Sequence, residues 1–483
     1  MKKRLSFRLF VLLLAVLLTA AGCHPLAPSA PEEETVDDRL EDGPEHVPPE
    51  TCPPETAAAE IPVPPADEEG DGVLRVYMEN LGVRIYLAAN PDAEIEIVCT
   101  DDMILAEGFD EDTDLAERLR IAEGAELPDV MILRTADPWN GRDGVGNLTK
   151  LAQEGLLYDL DQLLGKDALI GCVPEVMEAG IFDGQRVLLP LLYSVGMLYT
   201  TEERLDAAGI PWEEGMDLET FSAAFPNFWK TYANGNTFRN FWYPDVMCAQ
   251  NGVDLLTDTP ESRAAAEKLC RAYFNFFPGL LDKGTTEYYV TSRPWYPGTL
   301  AESWAAGDFV FLSGFSAGGT HEFLPFVADR FYAEDIKKGE HPLLFPMPTL
   351  DGGAPYPVPT WSVAVSSRTE HPKAAAKFIW YLLSMQVQNE MTSGGIPVNR
   401  MSLDYWRSFF LDYKVKNHAP ADMDEDFVNR YFDSLENLRS PVWWDANGNS
   451  LLTWCAIGMA MGQSFEEAYS PVREKLDEYF GVH

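Results

Sequence analysis

The chain has 483 residues, 46% hydrophobic and 12% aromatic, enough for about two or three domains at ~150 residues each. Against 36 Lys and Arg stand 77 Asp and Glu, a formal net charge of -41, which repels a phosphate backbone or an anionic leaflet and excludes nucleic acid as a partner. With 36 Gly and 35 Pro, the composition is that of a folded globular protein with one biased segment, neither collagenous nor wholly disordered.

Lys2, Lys3, Arg4 and Arg8 precede an apolar run, Leu9 to Leu18, too short to span about 30 Å of hydrocarbon as a helix. This is the pattern of an export signal. Ala20-Ala21-Gly22 then lead to Cys23, which resembles the bacterial lipobox, with Ala20 where Leu is usual. The resemblance implies that residues 1–23 are a lipoprotein signal and that Cys23 carries a lipid anchor. Residues 24–72 are rich in Pro and acids, including Glu32-Glu33-Glu34, Asp37-Asp38 and Pro64-Pro65, and contain no aromatic residue. They cannot bury enough apolar surface to offset an ordering entropy of about 1–2 kcal/mol per residue, so they read as an extended, self-repelling tether. The seven cysteines (23, 52, 99, 172, 248, 270 and 455) contain no C-x-x-C or Cys/His cluster. No metal and no cofactor is expected, and the thiols read as isolated and mostly buried.

From Val73 the pattern becomes regular. The spacing predicts a strand over 73–78, a helix, a break at Asn90-Pro91-Asp92, a strand over 93–99, an acid-rich helix over 110–123 and a strand over 130–133. Strands alternating with helices predict a parallel sheet covered on both faces, with ligands outside the carboxyl ends of the strands. The final helix is expected to open on Ser464-Phe465-Glu466-Glu467 and to bury Phe465, Ala468, Tyr469 and Leu476.

These elements, with Asn90-Pro91-Asp92 and Pro128-Asp129-Val130, resemble the opening of bacterial extracellular solute-binding proteins of the maltose-binding type. Later segments match in order: Phe182 to Pro190, Met197-Leu198-Tyr199 through Leu205 to Ile210, Ala306 to Phe315, Glu370 to Ile379, and Gly394 to Asn399. The resemblance covers nearly everything after the tether. It implies an α/β, two-lobed periplasmic-binding-protein-like fold of class II, each lobe a sheet flanked by helices, joined by crossing hinge strands. By analogy the first lobe takes 73–191 and 362–398, and the second 192–361 and 399–483. The implied function is a membrane-anchored monomer on the extracellular face, captured solute (an oligosaccharide) between its lobes, an ABC importer's permease subunits as partner, and no enzymatic activity.

A sugar offers apolar C–H faces and a rim of hydroxyls, so a site for it stacks aromatic rings and aims planar polar groups. In the first lobe Glu79 follows the first strand, and Asp137 and Trp139 follow the third, near the family's sugar-binding carboxylate. Asp137-Pro138 equally suits a plain chain turn. Tyr193 lies just past the first crossing, Trp242 and Tyr243 precede Gln250-Asn251-Gly252, and Phe315 occupies a stacking position in the resemblance. Trp361 sits beside the second crossing strand, and Trp443-Trp444 precede the terminal helices, with Trp443 taken as the candidate. Core packing competes at each of these aromatics. Trp295, Tyr296, Trp304 and Trp380 read as packing or loop residues.

Two rivals share these features. Gly314-Phe315-Ser316-Ala317-Gly318 satisfies G-x-S-x-G after a strand, as a hydrolase with Ser316 as nucleophile requires, but no His or Asp is singled out to complete a triad. A carbohydrate-binding surface adhesin without transport would share the tether and the aromatics.

Overall fold

The apolar alternation after residue 72 does form strands, and they collect into two separate sheets. The structure is a computed structural model, which describes residues 72–77, 81–99, 127–134, 148–224, 238–239, 244–276, 304–305, 307, 310–313, 324, 327, 331–391, 395–411 and 424–481. The signal, Cys23, the tether up to residue 71, the helix expected over 110–123, and Glu79, Asp137, Trp139, Trp242, Tyr243, Phe315 and Ser316 lie outside the described residues.

In chain order the strands are β1 (Leu74–Tyr77), β2 (Ile95–Cys99), β3 (Val130–Arg134), β4 (Ile181–Phe182), β5 (Gln185–Arg186), β6 (Leu189–Ser194), β7 (Met197–Thr201), β8 (Phe238–Arg239), β9 (Phe311–Ser313), β10 (Pro342–Pro346), β11 (Val358–Val365) and β12 (Ile396–Pro397). The first sheet has the order β12-β6-β11-β3-β1-β2. β1 runs parallel to β2 and β3, as the alternating pattern predicts. The sheet as a whole is mixed, because β11 is antiparallel to β3 and β6, and β12 to β6. β11 arrives directly from the second sheet, whereas β12, parallel to β11, follows it through helices Pro372–Leu382 and Met385–Glu390.

The period of two decides which layer each strand residue joins. Val130 and Ile132 face the main core with Val363 and Val365, while Met131, Leu133 and Ala364 face a second cluster on the opposite side. Helices Leu81–Ala89 and Pro372–Leu382 cover the first face. Helix Pro372–Leu382 starts on a Pro at its first turn, where the missing N–H costs nothing. It buries Ala375, Phe378, Ile379 and Leu382 at helical spacing, with Phe378 edge-on to Tyr86 at 4.9 Å. Helix Leu148–Gln153 covers the other face through Leu148 and Leu151. Between the layers, β4 and β5 form a hairpin whose two-residue loop, Asp183-Gly184, has φ of 48° and 78°, the Asp-Gly turn that twisted strands favour.

The second sheet has the order β10-β7-β9-β8. Its residues also alternate: Tyr199, Leu312 and Leu344 join the main core, and Leu198, Phe311 and Phe345 join a core of their own. Helices Pro260–Phe276, Leu452–Ala460 and Phe465–Phe480 close that core. The last of them begins with the expected capping box, Ser464 with Glu467, and buries Phe465, Ala468, Tyr469 and Leu476. Trp304 is core, and Trp380 packs half-buried on the main core.

The polypeptide passes between the sheets three times. β6 runs into β7 across Val195-Gly196, and β10 leads to β11 through residues 347–357. The first-sheet strands thus reach Ser194 and begin at Val358, beyond the boundaries expected at 191 and 362. The third passage is gradual: helix Arg400–Leu411 packs on β12 and helix Glu425–Glu436 on β10 before the segment 438–445 reaches the second core.

Candidate functional site

The second and third passages meet the start of β6 at a narrow cleft between the sheets. The entry to β6 supplies Leu188 and Pro190, backed by Ala179 and Gly180; the second passage and β11 supply Pro357, Pro359 and Ser362; the third passage supplies Pro441, Val442 and Trp444; Ala249 approaches from the second sheet's side. Its volume of about 10 Å³ is room for roughly one water. Gly180 has to be glycine, because a Cβ there would lie 1.9 Å from the Leu188 carbonyl oxygen. The prolines have a physical consequence as well. Pro190 and Pro359 sit in the β6–β11 ladder and cannot donate, and the register slips between Pro359 and Trp361 and again between Trp361 and Ser362. The β6–β11 ladder is therefore irregularly bonded beside the cleft.

The floor is apolar but carries polar atoms with no protein partner. Ser362 is 1% exposed and Trp444 7%, and neither the Ser362 hydroxyl nor the Trp444 indole N–H meets a partner among the described residues. One residue on from Ala249, both amide atoms of Gln250 are likewise unpaired at 4% exposure. A buried polar group without a hydrogen bond costs about 1–3 kcal/mol, so the Ser362 hydroxyl and the Trp444 indole N–H are each disposed to take up a partner that enters the cleft.

The sequence-derived candidates are distributed differently. Tyr193 is fully buried in the main core, opposite Pro359 and Ile396, and burial pushes its phenol well above the usual range. Trp361 lies within β11, not beside it, half-buried on the main core. Trp443 turns away from the cleft. Its indole N–H donates to Thr149 Oγ1 at 3.0 Å and its ring meets Phe182 edge-on at 4.8 Å. Adjacent residues of an extended segment point oppositely, so it is Trp444 that lines the floor. Ser362 and Trp444 were the lining residues sequence reasoning missed. The available signals were a lone Ser in the apolar run Trp361-Ser362-Val363 and the strict alternation of the Trp pair.

Several motif residues prove to be structural. Asp129 accepts from the Arg75 backbone N–H at 2.9 Å and the Thr369 hydroxyl at 2.5 Å, fastening β3 to its neighbours. Asn399 donates to the Leu383 carbonyl at 2.9 Å, and Gln388 accepts from the Val398 N–H at 2.9 Å. In the second lobe a buried Asp335 accepts from Tyr199 Oη at 2.7 Å and Trp304 Nε1 at 3.0 Å, with the Arg204 guanidinium 3.9 Å away. Burial pushes the Asp335 carboxyl up, and these donors oppose that rise.

Two of the buried thiols are poor nucleophiles. Burial pushes Cys172 up to about 12, and a hydrogen bond to Cys455 together with burial raises Cys270. Among the described residues no group of three or more His, Cys, Asp or Glu is placed to hold a metal ion, and no helix is long and apolar enough to cross a membrane.

Comparison with known proteins agrees with this architecture. The fold resembles a protein described as an oligosaccharide periplasmic-binding protein from Synechococcus sp. MITs9220, at TM-score 0.56 and 17% identity over 85% of this chain and 99% of that one. It also resembles the sugar-binding protein MalE from Xanthomonas citri, at TM-score 0.54 and 14% identity over 85% and 98%. A third likeness is UgpB from Mycobacterium tuberculosis, solved with glycerophosphocholine, at 0.52 and 16% over 85% and 99%. The fold is thus the two-lobed periplasmic-binding-protein fold. A search of curated proteins finds no match. Residues 133–408 match the family model for bacterial extracellular solute-binding proteins, and the chain belongs to that family.

Proposed function

We propose that this protein is a receptor held at the outer face of the cell membrane by a lipid on Cys23, which captures a neutral oligosaccharide between its lobes and delivers it to the permease of an ABC importer. In this reading the first lobe takes 73–194 and 358–398, and the second 197–346 and 438–483. The observation that carries the reading is the cleft floor: proline rings and Trp444 offer apolar surface, and Ser362 and Trp444 hold unpaired hydrogen-bonding atoms. That combination suits a ring with C–H faces and a hydroxyl rim, and it suits a charged solute poorly. The names of the structural relatives, oligosaccharide-binding, sugar-binding and glycerophosphocholine-bound, point the same way. The protein binds its solute and does not convert it.

The test is a thermal-shift screen of the full-length protein against maltose, maltotriose, glycerophosphocholine, a tripeptide and spermidine. A ligand bound only by the native state adds RT ln(1 + [L]/Kd), about 2.7 kcal/mol at 100 times Kd. The expected result is a rise with the sugars, each recovered intact. No rise with either sugar would overturn the oligosaccharide reading, and shortened sugar would revive hydrolysis at Ser316.

A further inference from the structure

Between the lobes, adjoining the cleft floor at Trp444, lies a compact set of hydrogen bonds centred on a buried carboxylate. Asp445 is 2% exposed and divides its two oxygens between the lobes. Oδ1 accepts from the Gly448 backbone N–H at 3.1 Å and from Tyr479 Oη at 3.0 Å, both in the second lobe. Oδ2 accepts from the Thr149 backbone N–H at 3.2 Å and from Thr149 Oγ1 at 3.1 Å. Thr149 is fully buried on helix Leu148–Gln153, which packs on the first sheet. One oxygen thus fixes the carboxylate in its own lobe and the other reaches across. The contact is extended on both sides. Thr149 Oγ1 also accepts from Trp443 Nε1 at 3.0 Å, and Gln153, one helical turn on and on the same face, donates to the Phe480 carbonyl at 3.0 Å.

We propose that Thr149, Gln153 and Asp445 form a latch between the lobes, and that these positioning residues set how long a captured solute is held; the second clause rests on the receptor reading above. The argument is one of partition. Opening the lobes leaves Asp445 Oδ1 satisfied by Gly448 and Tyr479, so the second lobe needs no rearrangement. It breaks both bonds to Oδ2 and the bond from Gln153, so the latch has two discrete arrangements, made and unmade. A solute that fills the cleft and draws the lobes together is then retained by contacts it does not itself touch, and losing them speeds release far more than it slows capture.

The test compares full-length wild type with Thr149→Val, Thr149→Ser and Gln153→Ala. Readouts are the radius of gyration by small-angle X-ray scattering, hydrogen exchange at the Thr149 amide, and the dissociation rate of maltotriose. Thr149→Val should raise the radius of gyration, remove the protection of that amide and speed maltotriose release roughly tenfold, and Thr149→Ser, which keeps the hydroxyl, should restore all three. Gln153 is exposed, so Gln153→Ala folds regardless and should show the same changes at smaller size. Unchanged scattering and amide protection in both Thr149→Val and Gln153→Ala would overturn the latch, whatever maltotriose does. If maltotriose does not bind wild type, the receptor reading fails and the scattering and exchange data still decide the latch.

Discussion

Replacing Ser362 by Ala separates a group kept for a ligand from one kept for the fold. The hydroxyl is buried, lines the cleft floor and has no protein partner among the described residues, so the free protein carries a desolvation cost of about 1 kcal/mol or more for it. Removing the oxygen relieves that cost, unless a water in the roughly 10 Å³ cleft already offsets it. The expected change in stability is therefore between zero and about 1 kcal/mol of stabilisation, a rise of up to ~1 °C. Most buried polar-to-Ala changes have the opposite sign. With a sugar bound, the variant lacks one hydrogen bond worth about 0.5–1.5 kcal/mol, so the Kd should weaken roughly two- to twelvefold. Denaturant unfolding and calorimetric titration with maltotriose read the two effects separately. Destabilisation by more than about 1 kcal/mol with an unchanged Kd would refute the reasoning, since the hydroxyl would then belong to the fold.

Asp335→Ala should cost about 2–4 kcal/mol, because it leaves the Tyr199 hydroxyl and the Trp304 indole N–H buried without their acceptor; a loss under 1 kcal/mol in denaturant unfolding would show that the cluster relaxes into solvent. Ser464→Ala removes the capping box of the last helix and should cost about 1 kcal/mol by the same assay, with no change in solute affinity. His341 and Glu203 give a pH dependence whose sign follows from the pair. A hydrogen bond to Glu203 raises the His341 pKa above 6.5, and although slight burial pushes Glu203 up, the bonds from His341 bring it below 4.5 overall. The raised His adds stability below pH 6.5 that fades as pH rises through its folded pKa, and the lowered Glu adds stability above pH 4.5 that fades as pH falls through its own. The difference in melting temperature between wild type and His341→Ala should thus be greatest between pH 4.5 and 6.5 and small throughout, because both groups are exposed; a difference that grew above pH 8 would contradict the pairing.

The fold was legible wherever local chemistry and tertiary packing agreed. The parallel β1, β2 and β3, the Pro-started helix at 372 and the capped helix at 464 follow from period, turn and cap residues. The mixed sheet was not legible in that way, because β11 and β12 pair with strands more than 160 residues earlier in the chain and no local period records such a pairing. The motifs themselves carried structure more than chemistry. Asp129 and Asn399 hold backbone together, and Gly395 admits the Tyr193 carbonyl to 2.8 Å from where a Cβ would sit. The aromatics were the least legible. Tyr193, Trp361 and Trp443 are spent on the core or on the contact between lobes, whereas Trp444, adjoining Trp443, faces the cleft. Composition shows that a ring is present, and only the twist and register of its segment decide which way it points.

The central claim, a receptor that captures a sugar without chemistry, is tested most directly by calorimetric titration of maltotriose into the full-length protein, with the sugar recovered and analysed afterwards. The account predicts one site, a Kd of about 1 μM or tighter, equivalent to about -8 kcal/mol, and maltotriose returned unchanged. Absence of binding heat across several temperatures, or recovery of shortened sugar, would contradict it.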